Sequence, residues 1–200
     1  MQGIATRRRE DQRWPAALRG ALRPRRGMNL TDNLFGLGLV AIGIVVILGL
    51  GLYGRSIYQE QRASLLLTQL VQAVTSTYQS TRNYGTGSLI GTLDGFGRLP
   101  EDFVVRTGGN VSLEHPWGGP VVVNGGPGGE TNQFRIRFNE LDNDICAAVA
   151  ERSAGKTRGR TGLDEVRING TVLPLPYDVA RVVAECDNGN ANNWVAWDYF

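Results

Sequence analysis

The feature that most restricts the fold is a run of twenty uncharged, mostly apolar residues, Leu34 to Tyr53 (LFGLGLVAIGIVVILGLGLY), placed after an arginine-rich head. As a helix this run is about 30 Å long, enough to cross the hydrocarbon core of a bilayer. A soluble domain has no use for such a segment, so the chain is expected in a membrane at some stage. Residues 1–27 carry eight Arg against Glu10 and Asp11, and the remainder carries thirteen basic and seventeen acidic residues. The formal net charge of +2 therefore hides a head of +6 and a remainder of −4. A basic head beside an apolar span reads as cytoplasmic, which exports everything after Arg55. Nucleic acid is the other explanation for a basic head, but this one has neither interleaved aromatics nor a binding motif.

With the first fifty or so residues set aside, the length allows one globular domain. The head has prolines at 15 and 24, many charges and little periodicity, and reads as a leader without packed structure. No proline occurs from Asn29 to Arg82, and Leu66, Leu67, Leu70, Val71, Val74 and Tyr78 recur at three-and-four spacing. The membrane helix is thus expected to continue as an amphipathic one, about fifty-five residues and roughly 80 Å in all. Glycines at 85, 87, 91, 95 and 97 mark a loop, with one short helix around Leu89–Leu93. Strands are expected at 120–124 (PVVVN), 133–138 (QFRIRF), 165–172 (EVRINGTV) and 193–200 (NWVAWDYF), and helices at about Glu140–Ser153 and Tyr177–Cys186. The fold class is then α+β: a long N-terminal helix whose apolar stripe packs on an antiparallel sheet.

Cys146 and Cys186 are the only cysteines, and both lie in the part expected to be exported. Oxidising surroundings favour a disulfide, with two buried thiols as the alternative. Closing a loop of this size would stabilise the domain by about 4 kcal/mol in the chain-entropy model.

The head, span and junction together resemble the type IV prepilin signal. A basic leader ends in Gly27, a mature chain would start at Met28, and an apolar helix follows with one acid, Asp32, at its start. Met28 and the length of the leader match the type IVb branch. The resemblance divides the chain into a leader at 1–27 removed by a prepilin peptidase, a hydrophobic filament-core helix at 28–54, and an amphipathic helix leading into a globular pilin domain at 55–200. It implies cleavage between Gly27 and Met28, N-methylation of Met28, and an assembly role for Asp32. Pilins normally have Glu there, thought to pair with the terminal amine of a neighbouring subunit; Asp32 is one methylene shorter. Taken alone, Asp32 is also an ordinary first-turn acid favoured by the helix dipole. Glycines at 36, 43 and 54 fall on one helix face and suit close packing between like helices, though a lone anchor would tolerate them too. The order of elements, the HPWGGPVVV stretch (115–123) and the placing of Cys146 and Cys186 also resemble type IVb pilins, which implies the disulfide bounding their C-terminal region.

Enzyme readings find little footing. His115 is the only histidine and, beside Pro116-Trp117, is expected to shape a turn rather than act as a base. One histidine, two cysteines and scattered acids suggest no metal cluster; LDND (141–144) sits at an expected helix start, and AGKT (154–157) lacks the first glycine of a phosphate loop. No cofactor is expected. Asn110-Val-Ser and Asn169-Gly-Thr match the glycan acceptor pattern. The resemblance implies a homo-oligomeric filament subunit that serves adhesion, aggregation or mating contact, with a prepilin peptidase, an assembly platform with its ATPase, and a secretin as partners, and the membrane as its precursor compartment. Two other readings stay open: an uncleaved single-pass protein with an exported ligand-binding domain, and a minor pilin or secretion pseudopilin.

Overall fold

The computed structural model describes residues 30–154, 162–173, 178–189 and 191–200, with the side chains of 30–39, 46–54 and 153–154 outside that description. The chain divides into two compact units, 1–49 and 50–200. Helix α1, Leu30–Thr77, begins in the first and ends in the second.

In the second unit α1 buries Ala63, Leu66, Leu70, Ala73 and Val74, spaced three or four apart, with Leu67, Val71 and Tyr78 partly buried beside them. This is the stripe the sequence implies. The helix stops at Thr77, five residues short of Arg82. Its last turns are rich in hydroxyls that bond back to the ladder: Thr75 Oγ1 donates to Val71 O at 2.7 Å and Thr77 Oγ1 to Ala73 O at 2.7 Å. Such bonds compete with helix continuation. The exit turn takes both the Thr81 and Arg82 N–H groups onto Tyr78 O, and Arg82 adopts a left-handed φ of 47°.

The loop that follows folds back on the helix through β1 (Gly87–Ser88), α2 (Ile90–Gly95) and a single helical turn at Glu101–Phe103. It contributes buried Leu89, Leu93, Leu99 and Phe103 to the core. Arg62 of α1 lies 4.8 Å over the Phe103 ring, and Arg98 donates to Ser76 Oγ.

The remaining strands are β2 (Val104–Thr107), β3 (Asn110–Glu114), β4 (Pro120–Gly125), β5 (Phe134–Leu141), β6 (Leu163–Ile168), β7 (Thr171–Val172) and β8 (Asn193–Tyr199). They pair antiparallel in the order β2-β3-β4-β5-β8-β6-β7, with β1 on β4. Two expectations change here. The hairpin β2–β3, turning at Gly108-Gly109 with φ of 58° and 84°, was not expected. The run at 165–172 is not one strand but two, divided at Asn169-Gly170, where φ is 50° and 96°. An Asn-Gly pair supplies the two left-handed residues that a tight hairpin turn needs.

The last strand of the chain is central in the sheet, between β5 and β6. Val195, Trp197 and Tyr199 stand opposite Phe138, Ile136 and Phe134 in register, all buried. Their rings interlock, with Phe138 to Trp197 at 5.0 Å edge-on and Phe134 to Tyr199 at 5.2 Å stacked. Each such side chain contributes roughly 1.5–3 kcal/mol by leaving water. Helices α3 (Asn143–Ala154) and α4 (Val179–Glu185) complete the domain near their expected places. Asp178 caps α4, its side chain accepting from Ala180 N at 3.1 Å.

Candidate assembly surface and disulfide-bounded region

In the first unit, residues 40–45 of α1 (VAIGIV) are all exposed, with Val40 at 60%, Ile42 at 62%, Ile44 at 52% and Val45 at 69%. Successive helical residues step about 100° around the axis, so six in a row cover the whole circumference. This stretch is apolar on every side and uncovered on every side. A Cβ built on Gly43 would meet nothing within 4 Å. Gly27 and Met28 lie outside the described residues; Asp32 is the third residue of α1, its side chain also outside the description. Among the described residues no helix is long and apolar enough to cross a membrane; most of the Leu34–Tyr53 span falls outside the described side chains.

Cys146 on α3 and Cys186 at the end of α4 form a disulfide, with S–S 2.06 Å and Cα–Cα 5.8 Å, which removes the alternative of two thiols. Both are buried. Beside the bridge lies a polar knot that sequence reasoning missed. Asn193 is fully buried, and its amide donates to Leu141 O at 3.2 Å, Gly189 O at 3.2 Å and Asn143 Oδ1 at 2.8 Å. Its carbonyl accepts from Asn169 Nδ2 at 2.8 Å and Asn188 N at 3.2 Å. One side chain thus ties together the end of β5, the start of α3, the β6–β7 turn and the loop after α4. Only the Asn-Gly pairs at 169 and 188 hinted that this corner was built from turns. Asn169 is held further by Glu185 O at 2.7 Å and Trp194 N at 2.9 Å, so its amide is fully engaged. Within LDND, Asp142 Oδ1 accepts from Ala191 N at 3.1 Å and Asn143 donates to Asp187 at 3.0 Å, so these residues hold the same loop.

His115 does shape a turn. Its backbone N–H donates to Gly119 O at 3.0 Å, and its carbonyl accepts from Gly118 N at 2.8 Å. The ring is buried, with Nε2 2.7 Å from Asn139 O and Nδ1 accepting from Trp117 N at 3.3 Å. A carbonyl on one nitrogen and a donor on the other select the neutral imidazole with its proton on Nε2. A Cβ on Gly119 would come within 2.4 Å of that Nε2 and 2.5 Å of Asn139 O, which is why glycine stands there. The turn touches the long helix where Gln59 Nε2 donates to Pro116 O at 3.3 Å.

Burial pushes the His115 pKa below its ordinary 6.5, opposed by the Asn139 carbonyl and by Glu140 and Glu114. The unfolded chain therefore takes up a proton near pH 6.5 that the folded domain resists. Stability is full above that pH and falls as pH drops toward the folded pKa. Denaturant titrations between pH 7.5 and 5 are expected to show this fall in the native chain and to lack its His115 component in His115→Gln.

On the sheet face opposite the core, Asp198 is buried and accepts from Arg135 Nε at 2.5 Å and Nη2 at 2.7 Å, and from Arg167 Nε at 3.1 Å. Arg167 also reaches Glu165. The hydrogen bonds that Arg135 donates to Asp198 raise the Arg135 pKa, against desolvation. β5, β8 and β6 are thereby clamped across their outer face.

A family model described as PilS N terminal matches residues 57–198, the amphipathic half of α1 and the whole sheet domain. The chain belongs to the PilS N-terminal family. Among solved structures, a type IVb pilin from Salmonella typhi aligns with a TM-score of 0.54 at 20% identity, covering 68% of this chain and 99% of that one. TcpA, a type IV pilin from Vibrio cholerae El Tor biotype, aligns with a TM-score of 0.52 at 14% identity, covering 72% and 99%. At these identities the likeness establishes the fold. No curated protein matches the sequence. This PilS-family chain thus has the type IVb pilin fold, an α+β domain of a helix packed on an antiparallel sheet, and a structural subunit is what that family and fold support.

Proposed function

We propose that the chain is a structural subunit of a type IVb pilus, made as an inner-membrane precursor and cut between Gly27 and Met28. Met28 is then N-methylated, and the subunits polymerise through their N-terminal helices into an extracellular filament. The observation that carries this reading is the stretch Val40–Val45, apolar and exposed around its full circumference, on a chain whose remaining helix already has its own core. Such a surface needs lipid before assembly and neighbouring helices after it. Asp32 pairs with the amine of Met28 on a neighbouring subunit, since an acid buried alone beside an apolar span costs several kcal/mol. The processing and export partners are a prepilin peptidase, an assembly platform with its ATPase, and a secretin. The filament serves adhesion, aggregation or mating contact.

Substitution at Asp32 tests assembly separately from processing. Asp32→Ala is expected to be cut and to accumulate in the inner membrane with no filament in the sheared fraction, while Asp32→Glu restores filaments. Wild-type yields of filament from Asp32→Ala would contradict the pairing.

A further inference from the structure

Arg135 and Arg137 on β5 alternate with the core residues Phe134, Ile136 and Phe138, so both stand on the outer face of the sheet. Two rows cross that face in register: Arg135–Asp198–Glu165 and Arg137–Ala196–Arg167. Together they hold three positive and two negative charges. Arg135 and Arg167 share Asp198, and Arg167 has Glu165 as well. Arg137 pairs with no carboxylate among the described residues. Its guanidinium lies 5.3 Å from the centre of the Trp194 ring, and its Nε is buried without an acceptor.

Charges drawn out of water are normally paired, and the half-buried guanidinium of Arg137 has no carboxylate of its own among the described residues. We propose that Arg137, held by Trp194, binds a single carboxylate group on the outer sheet face. One negative charge balances the excess of the two rows, whereas a phosphate dianion overshoots it. Because Nε is buried, the ligand reaches the Nη1/Nη2 edge, where two N–H groups match the two oxygens of a carboxylate. Trp194 fixes the plane of the guanidinium and so the approach of the ligand. Ala196, the smallest side chain in its row, separates Arg137 from Arg167.

The test uses the full-length chain, isotope-labelled in detergent micelles, and follows the indole N–H of Trp194 by NMR at constant ionic strength. Sodium glucuronate is the probe, with neutral glucuronamide and inorganic phosphate in parallel. A saturable shift with glucuronate is expected, at least tenfold weaker in Arg137→Lys, which keeps the charge and loses the fork, and absent in Arg137→Gln. Arg106→Gln, a change at a surface arginine already paired with Asp94 and Glu101, is expected to leave the curve unchanged. No saturation with glucuronate, or an identical curve in Arg137→Gln, would overturn the site. Equal binding of glucuronamide or of phosphate would overturn its carboxylate specificity. Native-like spectra of both Arg137 variants separate loss of the site from loss of the fold.

Discussion

Cutting the Cys146–Cys186 bridge, by reduction or by the double change to Ser, is expected to lower the stability of the folded domain by about 4 kcal/mol. The bridge closes a separation of 40 residues that includes β6, β7 and most of α3 and α4. Without it the unfolded chain regains the freedom of that loop, while the folded state keeps its contacts. For a domain of this size the expected fall in Tm is roughly 8–16 °C. The comparison is made by thermal unfolding of the full-length protein, oxidised and reduced, with Cys146→Ser/Cys186→Ser as a reductant-independent control. The Asn193 knot spans the same corner without covalent help, so the reduced domain is expected to remain folded at room temperature. A change in Tm of only a degree or two would mean that the knot alone fixes α3, α4 and the β6–β7 turn.

Trp197→Ala is expected to cost about 3–5 kcal/mol. The side chain is fully buried in the central strand, edge-on to Phe138 and opposite Ile136, so its removal leaves a cavity in the core beside these β5 residues. Trp197→Phe is expected to cost far less, about 1 kcal/mol. The indole N–H of Trp197 is buried with no acceptor, so phenylalanine loses area but also removes an unsatisfied donor. Denaturant midpoints of the three proteins measure the contrast. Equal losses for Ala and Phe would show that the indole N–H contributes a bond of its own.

Much of this fold can be read from local pattern. The strand alternation at 133–138 and 193–200 and the three-and-four stripe from Leu66 to Tyr78 are strong because each buries one face against a single core. The β2–β3 hairpin was also visible in principle, since Val104–Thr107 and Asn110–Glu114 flank a Gly-Gly pair, a signature of tight turns. Asn169-Gly170 marks the break within 165–172 in the same way. The sheet order is another matter. β8 lies between β5 and β6 through pairings of distant residues, such as Phe134 with Tyr199, and no local signal specifies such a register. The end of α1 was misplaced because neither glycine nor proline marks it, and hydroxyl back-bonding does the work instead. Asn193 was illegible for a related reason: an asparagine in a run of aromatics looks like a strand end until five partners converge on it. Of the residues given roles at the sequence level, the cysteines pair and His115 shapes its turn. Gly27, Met28 and Asp32 depend on a junction that only processing and assembly can test.

The most direct test is the intact mass and N-terminal sequence of protein sheared from the cell surface. A polymerising pilin subunit begins at Met28, about 14 Da heavier by one methyl group and 2 Da lighter by one disulfide than the unmodified chain. A protein that retains Arg25 and Arg26 and is found only in membranes would contradict the account.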